Sequence, residues 1–155
     1  MLADQVQIDD IKAEMKHKEF YIEVKYDGER MLAHRFPNGT FKFLSRNAND
    51  FTKDFGQHPR EGKFSKYLEE ALAVNVQSVI LDGEICAFNK KLQVLSNKAE
   101  KHGIRSLNDD HDTYQQCLYI YDIVYLNGQV LTNRPLKERL QILREKAVQR
   151  EIQGE

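Results

Sequence analysis

The sequence predicts an α+β fold of antiparallel sheets with flanking helices, and three observations predict it. Apolar and polar residues alternate over several short runs, the period of half-buried strands. Turn-forming pairs such as Asn38-Gly39 and Asn127-Gly128 separate some of these runs, which makes their neighbours hairpins. Helical spacing is confined to a few short segments, too few to supply the crossovers of a parallel sheet. At 155 residues the chain is long enough for one domain with a core and too short for two ordinary ones.

The elements follow in order. Asp9-Asp10 can cap a short helix running to about His17. Phe20–Lys25 reads as a strand, with Phe20, Ile22 and Val24 on one face and Tyr21, Glu23 and Lys25 on the other. Asp27-Gly28 breaks it, and Glu29–Phe36 begins a second strand. Pro37-Asn38-Gly39 turns the chain into a third, Thr40–Ser45. Residues 48–63 read as a loop pinned by Phe51 and Phe55. Ser65–Ala73 reads as a helix with Tyr67, Leu68, Ala71 and Leu72 inward. Val76–Asp82 is an apolar strand ending at an Asp82-Gly83 turn, and Ile85–Phe88 is the next. Residues 97–113 are polar without a period, the mark of a mobile segment. Gln115–Leu126 is a strong strand, Val130-Leu131 its short return, and Pro135 opens a last helix lined by Leu136, Leu140, Leu143 and Ala147.

Bulk properties narrow the function classes. The chain is 41% hydrophobic and 30% charged with a net charge of −1, so any nucleic-acid contact must come from a local patch. No apolar run reaches membrane-spanning length and no signal-peptide pattern opens the chain, which predicts an intracellular protein without a membrane partner. The histidines show no ligand spacing, so no zinc site is expected. Cys86 and Cys117 sit in strand-like runs and are expected to be free thiols.

Three strand ends carry polar residues that the apolar pattern does not require: Lys25 with Asp27 and Arg30, Asp82 with Glu84, and Asp122 beside Tyr121. A lysine fixed at the mouth of a turn keeps a four-carbon reach while its backbone is held, which suits a covalent nucleophile. Attack on a nucleotide α-phosphate needs a carboxylate for magnesium, an arginine for ribose or phosphate and an aromatic face for the base. Glu84, Arg30 and Tyr121 can supply them. Each feature alone has a plainer reading: an exposed hairpin lysine, an ordinary Asp-Gly turn, a core tyrosine, or Arg30 paired at the surface with Glu23 or Glu29. Their joint occurrence in this order is the informative signal.

Lys25-Tyr26-Asp27-Gly28-Glu29-Arg30 resembles the first signature motif of the covalent nucleotidyltransferases, the ATP-dependent DNA ligases and messenger-RNA capping enzymes. Ser45-Arg46-Asn47 resembles the family's next motif, Leu81-Asp82-Gly83-Glu84 the third, and Tyr119 to Val124 the aromatic-acidic strand after it. Met1-Leu2-Ala3-Asp4, Met15-Lys16-His17 and Asp54-Phe55-Gly56 resemble the end-joining, ligase IV type. The resemblance implies a partial ATP-grasp-like adenylation domain over residues 1–155. Its nucleophile would be Lys25, becoming an adenylyl-lysine. The nucleotide would meet Glu23, Val24, Tyr26 and Arg30, with Glu84 at the ribose or metal, Tyr121 on the adenine and Lys98 as a further contact. Arg46 and Asn47 would touch a nucleic-acid backbone. The cofactors implied are ATP as AMP donor and magnesium. The implied substrate is nicked or broken double-stranded DNA, joined in the nucleus during double-strand-break repair by non-homologous end joining. The longer parent would also bind a coiled-coil scaffold through C-terminal repeats.

The departures bear on activity. Tyr121 stands where the ligase IV stack has a phenylalanine, a mild change because either ring offers a π-face. No Glu-Gly-(apolar)₂-Lys or Lys-x-Lys strand follows Asp122. The expectation is therefore an adenylation domain truncated at its C-terminal end, inactive or weakly active alone. Two other readings share part of the pattern, a capping guanylyltransferase and a non-catalytic copy that only binds DNA or a partner.

Overall fold

The computed structural model describes residues 6–16, 18–96, 107 and 112–149. Its strands are β1 (Glu29–Arg35), β2 (Phe41–Ser45), β3 (Val79–Asn89), β4 (Val94–Ser96), β5 (Tyr114–Leu126) and β6 (Gln129–Val130). They form one antiparallel sheet in the order β2-β1-β3-β5-β6, with β4 folded back on the end of β3. The helices are α1 (Ile11–Glu14), α2 (Thr52–Phe55), α3 (Lys63–Ala71) and α4 (Leu136–Ile142); a π-helical turn, Leu143–Ala147, continues α4.

The core follows from period-two alternation. Met31 and Ala33 of β1, Phe41 and Phe43 of β2, and Leu81 and Ile85 of β3 are buried on one face of the sheet. Phe55 of α2 packs edge-on against Phe43 at 5.6 Å between ring centroids, and Phe64 of α3 lies 5.0 Å from Phe55. Each fully buried aromatic of this cluster contributes about 1.5–3 kcal/mol through burial. Arg35 ties the end of β1 to α3 by donating to both carboxylate oxygens of Glu69 at 2.7 Å, and it also donates to the carbonyls of Val76 and Gln77. The α4 turn returns to α3, where the Ala73 amide donates to Ala147 and the Gln149 amide to Ala71.

Several expectations need correction. Phe20–Lys25 belongs to no sheet. A strand is a property of a pair, and both sides of β1 are taken by β2 and β3. Ile22 and Val24 consequently stand 86% and 71% exposed. Val76–Asp82 and Ile85–Phe88 are not two strands divided by a turn, because β3 runs unbroken through Asp82-Gly83-Glu84. Residues 48–63 contain α2 and the start of α3. On α3 the inward residues are Phe64 and Leu68, with Leu72 just beyond its end, while Tyr67 is exposed with the Lys66 ammonium 5.9 Å from its ring. The first helix is shorter than expected, a 3₁₀ turn at Ile8–Asp10 followed by α1, and His17 lies outside the described residues. Of the segment 97–113, only Leu107, Asp112 and Thr113 are described, and Leu107 is buried. The β1–β2 hairpin, β5, its short return and the final helix fall where the sequence predicts them.

Candidate active site

The register of the sheet places the motif residues side by side. Arg30 of β1 stands opposite Glu84 of β3, and Glu84 stands opposite Tyr119 of β5. One row across three strands therefore carries a cation, a carboxylate and an aromatic ring. Asp82 lies two residues before Glu84, on the same face of β3. It is buried, and it accepts two hydrogen bonds from Arg30, Nε at 2.9 Å and Nη2 at 2.5 Å. The Tyr121 hydroxyl donates to the same carboxylate at 3.2 Å. Arg30 thus pairs with Asp82 across the sheet, and not at the surface with Glu23 or Glu29. The carboxylate keeps the guanidinium firmly protonated, and burial, with the same carboxylate nearby, pushes the Tyr121 phenol up.

Two glycines allow this geometry. A Cβ at Gly83 would fall 2.5 Å from the Tyr119 carbonyl oxygen. The β3–β5 register shifts here, with Asp82 opposite Asp122, Gly83 opposite Ile120, and Tyr121 as the extra residue. Gly83 therefore serves the close approach of a bulged strand, not a turn. A Cβ at Gly28 would fall 2.3 Å from the Ile85 carbonyl oxygen and 2.7 Å from Glu84 Cγ. The Lys25 segment can therefore lie flush against β3.

Beside this row opens a cleft of about 970 Å³. It is lined by Glu23, Val24, Lys25, Tyr26, Arg30, Glu84 and Tyr121, and by Arg46 and Asn47. The structure thus brings together every expected site residue that it describes; Lys98 lies outside the described residues. Lys25 is exposed on a segment outside the sheet, at the cleft wall. Arg46 and Asn47 occupy the tip of a tight turn in which the Ala48 amide donates to Ser45, the Ser45 amide to Asn49, and Ala48 adopts a left-handed φ of 60°. That turn aims them at the Lys25 cleft, where a nucleotide phosphate is as accessible to them as a nucleic-acid backbone.

Sequence reasoning missed Arg144, which lines the same cleft from the turn after α4. Its spacing of four residues from Leu140 puts both on one helical face, but only the packing of α4 beside β5 shows that the face meets the cleft. Tyr119 was also missed as a site residue. Cys86 and Cys117 are free and opposite each other in the ladder. Burial, then the charge of Glu84, pushes the Cys86 thiol up to about 12, so it is no nucleophile at neutral pH. Behind the site, Asp122 accepts two hydrogen bonds at 2.8 Å from Arg139 of α4, which docks that helix on β5.

Chemically, the cleft offers an exposed lysine, three arginines, a carboxylate on a strand centre and a set of tyrosines. That donor set suits a nucleoside triphosphate: cations for phosphates, aromatic faces for a base and a carboxylate for a metal shared with the phosphates. The chain is 37% identical to human DNA ligase 4 over 143 residues, 92% of this chain and 16% of the relative. It is 40% identical to Candida albicans DNA ligase 4 over 134 residues, 80% of this chain and 14% of the relative. A DNA ligase of Caldivirga maquilingensis shares 34% identity over 127 residues, 78% of this chain and 19% of that protein. The chain therefore spans about one-sixth of the length of the curated relatives it matches. The crystal structure of the ligase domain of Mycobacterium tuberculosis LigD superimposes with a TM-score of 0.56 at 22% identity, over 78% of this chain and 34% of that one. It shows the same α+β antiparallel fold. The family model of the ATP dependent DNA ligase domain matches residues 1–154, and the chain belongs to that family.

Proposed function

We propose that this chain is part of the adenylation domain of an ATP-dependent DNA ligase of the ligase IV type, with Lys25 as its nucleophile. The observation that carries the reading is the meeting in one cleft of Lys25, Arg30, Glu84 and Tyr121, residues from three separate motifs. In this reading the neutral Lys25 amine attacks the α-phosphorus of ATP. The N–P bond forms, the bond to the bridging oxygen of the β-phosphate breaks, pyrophosphate leaves, and the proton lost from the amine passes to solvent or to the departing pyrophosphate. AMP then passes from Lys25 to a DNA 5′-phosphate, and a neighbouring 3′-hydroxyl displaces it to seal the strand.

Arg30, held rigid by Asp82, presents its outer edge to ribose or phosphate. Tyr121 offers its ring to the adenine, and Glu23, Val24 and Tyr26 frame the nucleotide. Arg46 and Arg144 stand ready for the departing phosphates, and Asn47 for a nucleic-acid backbone. Among the described residues no group of three or more His, Cys, Asp or Glu is placed to hold a metal on protein ligands alone. Magnesium commonly takes one or two carboxylates and completes its shell with phosphates and water. Glu84 is the carboxylate proposed to hold it, and when bound the ion supplies neutralisation of the charge that develops on the phosphates. Among the described residues no helix is long and apolar enough to cross a membrane. The resemblance to ligase IV extends the reading to end joining in the nucleus on a coiled-coil scaffold, properties of the longer enzyme.

The test is covalent labelling. In the longer enzyme, incubation with magnesium and ATP labelled at the α-phosphate is expected to place an acid-labile phosphoramide on Lys25, whereas the chain alone should label weakly or not at all. Lys25→Ala should remove it, and GTP should not replace ATP. A label that survives Lys25→Ala moves the nucleophile elsewhere, and efficient labelling from GTP favours a capping guanylyltransferase.

A further inference from the structure

The residue proposed as nucleophile sits on a segment without ladder hydrogen bonds, so something else must fix its position. Residue 26, its immediate neighbour, does so. The Tyr26 ring lies 4.1 Å from the Tyr119 ring between centroids, tilted by 46°. Two residues on, Gly28 lies against the Ile85 carbonyl and Glu84. Tyr119 stands directly opposite Glu84 in the β3–β5 ladder. The segment is thus held on the one row of the sheet that also carries Glu84 and Arg30. Asp27 and Glu29 make contacts of their own, and at the far end of the segment Glu19 pairs with Lys137 at 3.8 Å, with both side chains largely exposed. The Tyr26–Tyr119 pair adjoins Lys25 directly and reaches β5.

We infer that Tyr119 is a positioning residue: with Tyr26 it forms an aromatic clasp that docks the Lys25 segment on β5 and sets the lysine's place relative to Glu84. The inference rests on the reading of Lys25 as nucleophile. Its physical content is entropic. An undocked segment would let the amine sample the whole cleft, and misplacement by about 1 Å can cost a factor of about 100 in rate. The clasp acts on the segment's backbone, so it should govern the rate of attack more than the affinity for nucleotide. The proximity of Tyr119 is the first cause that pushes the Tyr26 phenol up to about 12, with burial a smaller one. Tyr119 is 39% exposed, so its replacement leaves the core intact.

The experiment compares unsubstituted protein with Tyr119→Phe, Tyr119→Ala, Tyr26→Ala and the double alanine variant in two readouts. Hydrogen exchange across residues 18–28 reports docking without reference to activity. Single-turnover labelling from ATP separates the rate at saturating nucleotide from the concentration needed for half-saturation. In Tyr119→Ala, exchange in the segment should accelerate about tenfold as the clasp opens. The labelling rate should fall about 10- to 100-fold, while half-saturation stays within about twofold, as expected for a group acting on position and not on uniform binding. Tyr119→Phe keeps the ring contact and should recover most of both. The double variant should be no worse than the more severe single variant, because the two rings act as one unit. Unchanged exchange in Tyr119→Ala, or single effects that simply add, would overturn the clasp. Absence of label from the unsubstituted protein would agree with the weak activity expected of the chain alone, and the exchange arm would then decide by itself whether the clasp exists.

Discussion

Arg30 and Asp82 are 52 residues apart in sequence and joined by two hydrogen bonds across β1 and β3, which makes Asp82 the anchor of the site's arginine. The Asp82 side chain is only 6% exposed, whereas that of Arg30 is 48% exposed. The buried partner therefore depends on the exposed one. Arg30→Ala is expected to destabilise the fold by about 2–3 kcal/mol, because it strands a buried carboxylate. Arg30→Lys should recover little, since an ammonium cannot make the two-pronged contact. Urea denaturation of the variants, paired with ATP labelling, checks both the stability and the site. An Arg30→Ala protein as stable as the original would show that the Tyr121 hydroxyl alone satisfies Asp82.

Glu84 separates the electrostatic from the structural role. Glu84→Gln keeps the shape and the place opposite Arg30 and Tyr119 but removes the charge proposed to hold magnesium. Labelling or a later sealing step should fall by about 100-fold or more, with little change in Tm. An active Glu84→Gln protein would reduce this residue to a strand position.

Gly83 tests the close approach of β5. Alanine there would drive its Cβ to 2.5 Å from the Tyr119 carbonyl oxygen, a backbone atom that cannot rotate away. We expect Gly83→Ala to cost about 1–3 kcal/mol and to loosen Tyr119, measurable as a lower denaturation midpoint. Unchanged stability would mean that the bulge at Tyr121 yields at little cost.

His34 gives the fold a pH dependence. Its Nε2 is buried without a hydrogen-bond partner, and Lys42 stands opposite in the β1–β2 ladder. Burial first and the Lys42 charge second hold its pKa below the usual imidazole range. The folded state therefore resists a proton that the unfolded state takes up near pH 6.5. The penalty is absent above that pH, grows as pH falls through it and levels off below the folded value. Thermal melts should show stability falling between about pH 7 and pH 5, and His34→Phe should flatten that part of the profile. An identical slope in the variant would assign the acid sensitivity to other groups.

The chemistry was legible in the sequence because it resides in short contiguous motifs. Lys25-Tyr26-Asp27-Gly28-Glu29-Arg30 and Leu81-Asp82-Gly83-Glu84 carry their residue types on their face. Local patterning also determined the β1–β2 hairpin, where Asn38 and Gly39 turn the chain, and the long strand β5. What it could not determine was pairing. Phe20–Lys25 has the alternation of a strand yet joins no sheet, because its ladder partners would have to come from elsewhere in the chain. Asp82-Gly83 has the composition of a turn yet runs straight, because the space left by the missing Cβ is used by a strand nearly forty residues away. Arg30 had acidic neighbours in sequence, but the register offered it Asp82, and the same register set Tyr119 beside Glu84. Residue type and period act over a few residues, so the sequence by itself determined the fold class, the hairpin and the chemical groups. Register and close approach are agreements between distant segments, so only the tertiary structure decided which of those groups would touch.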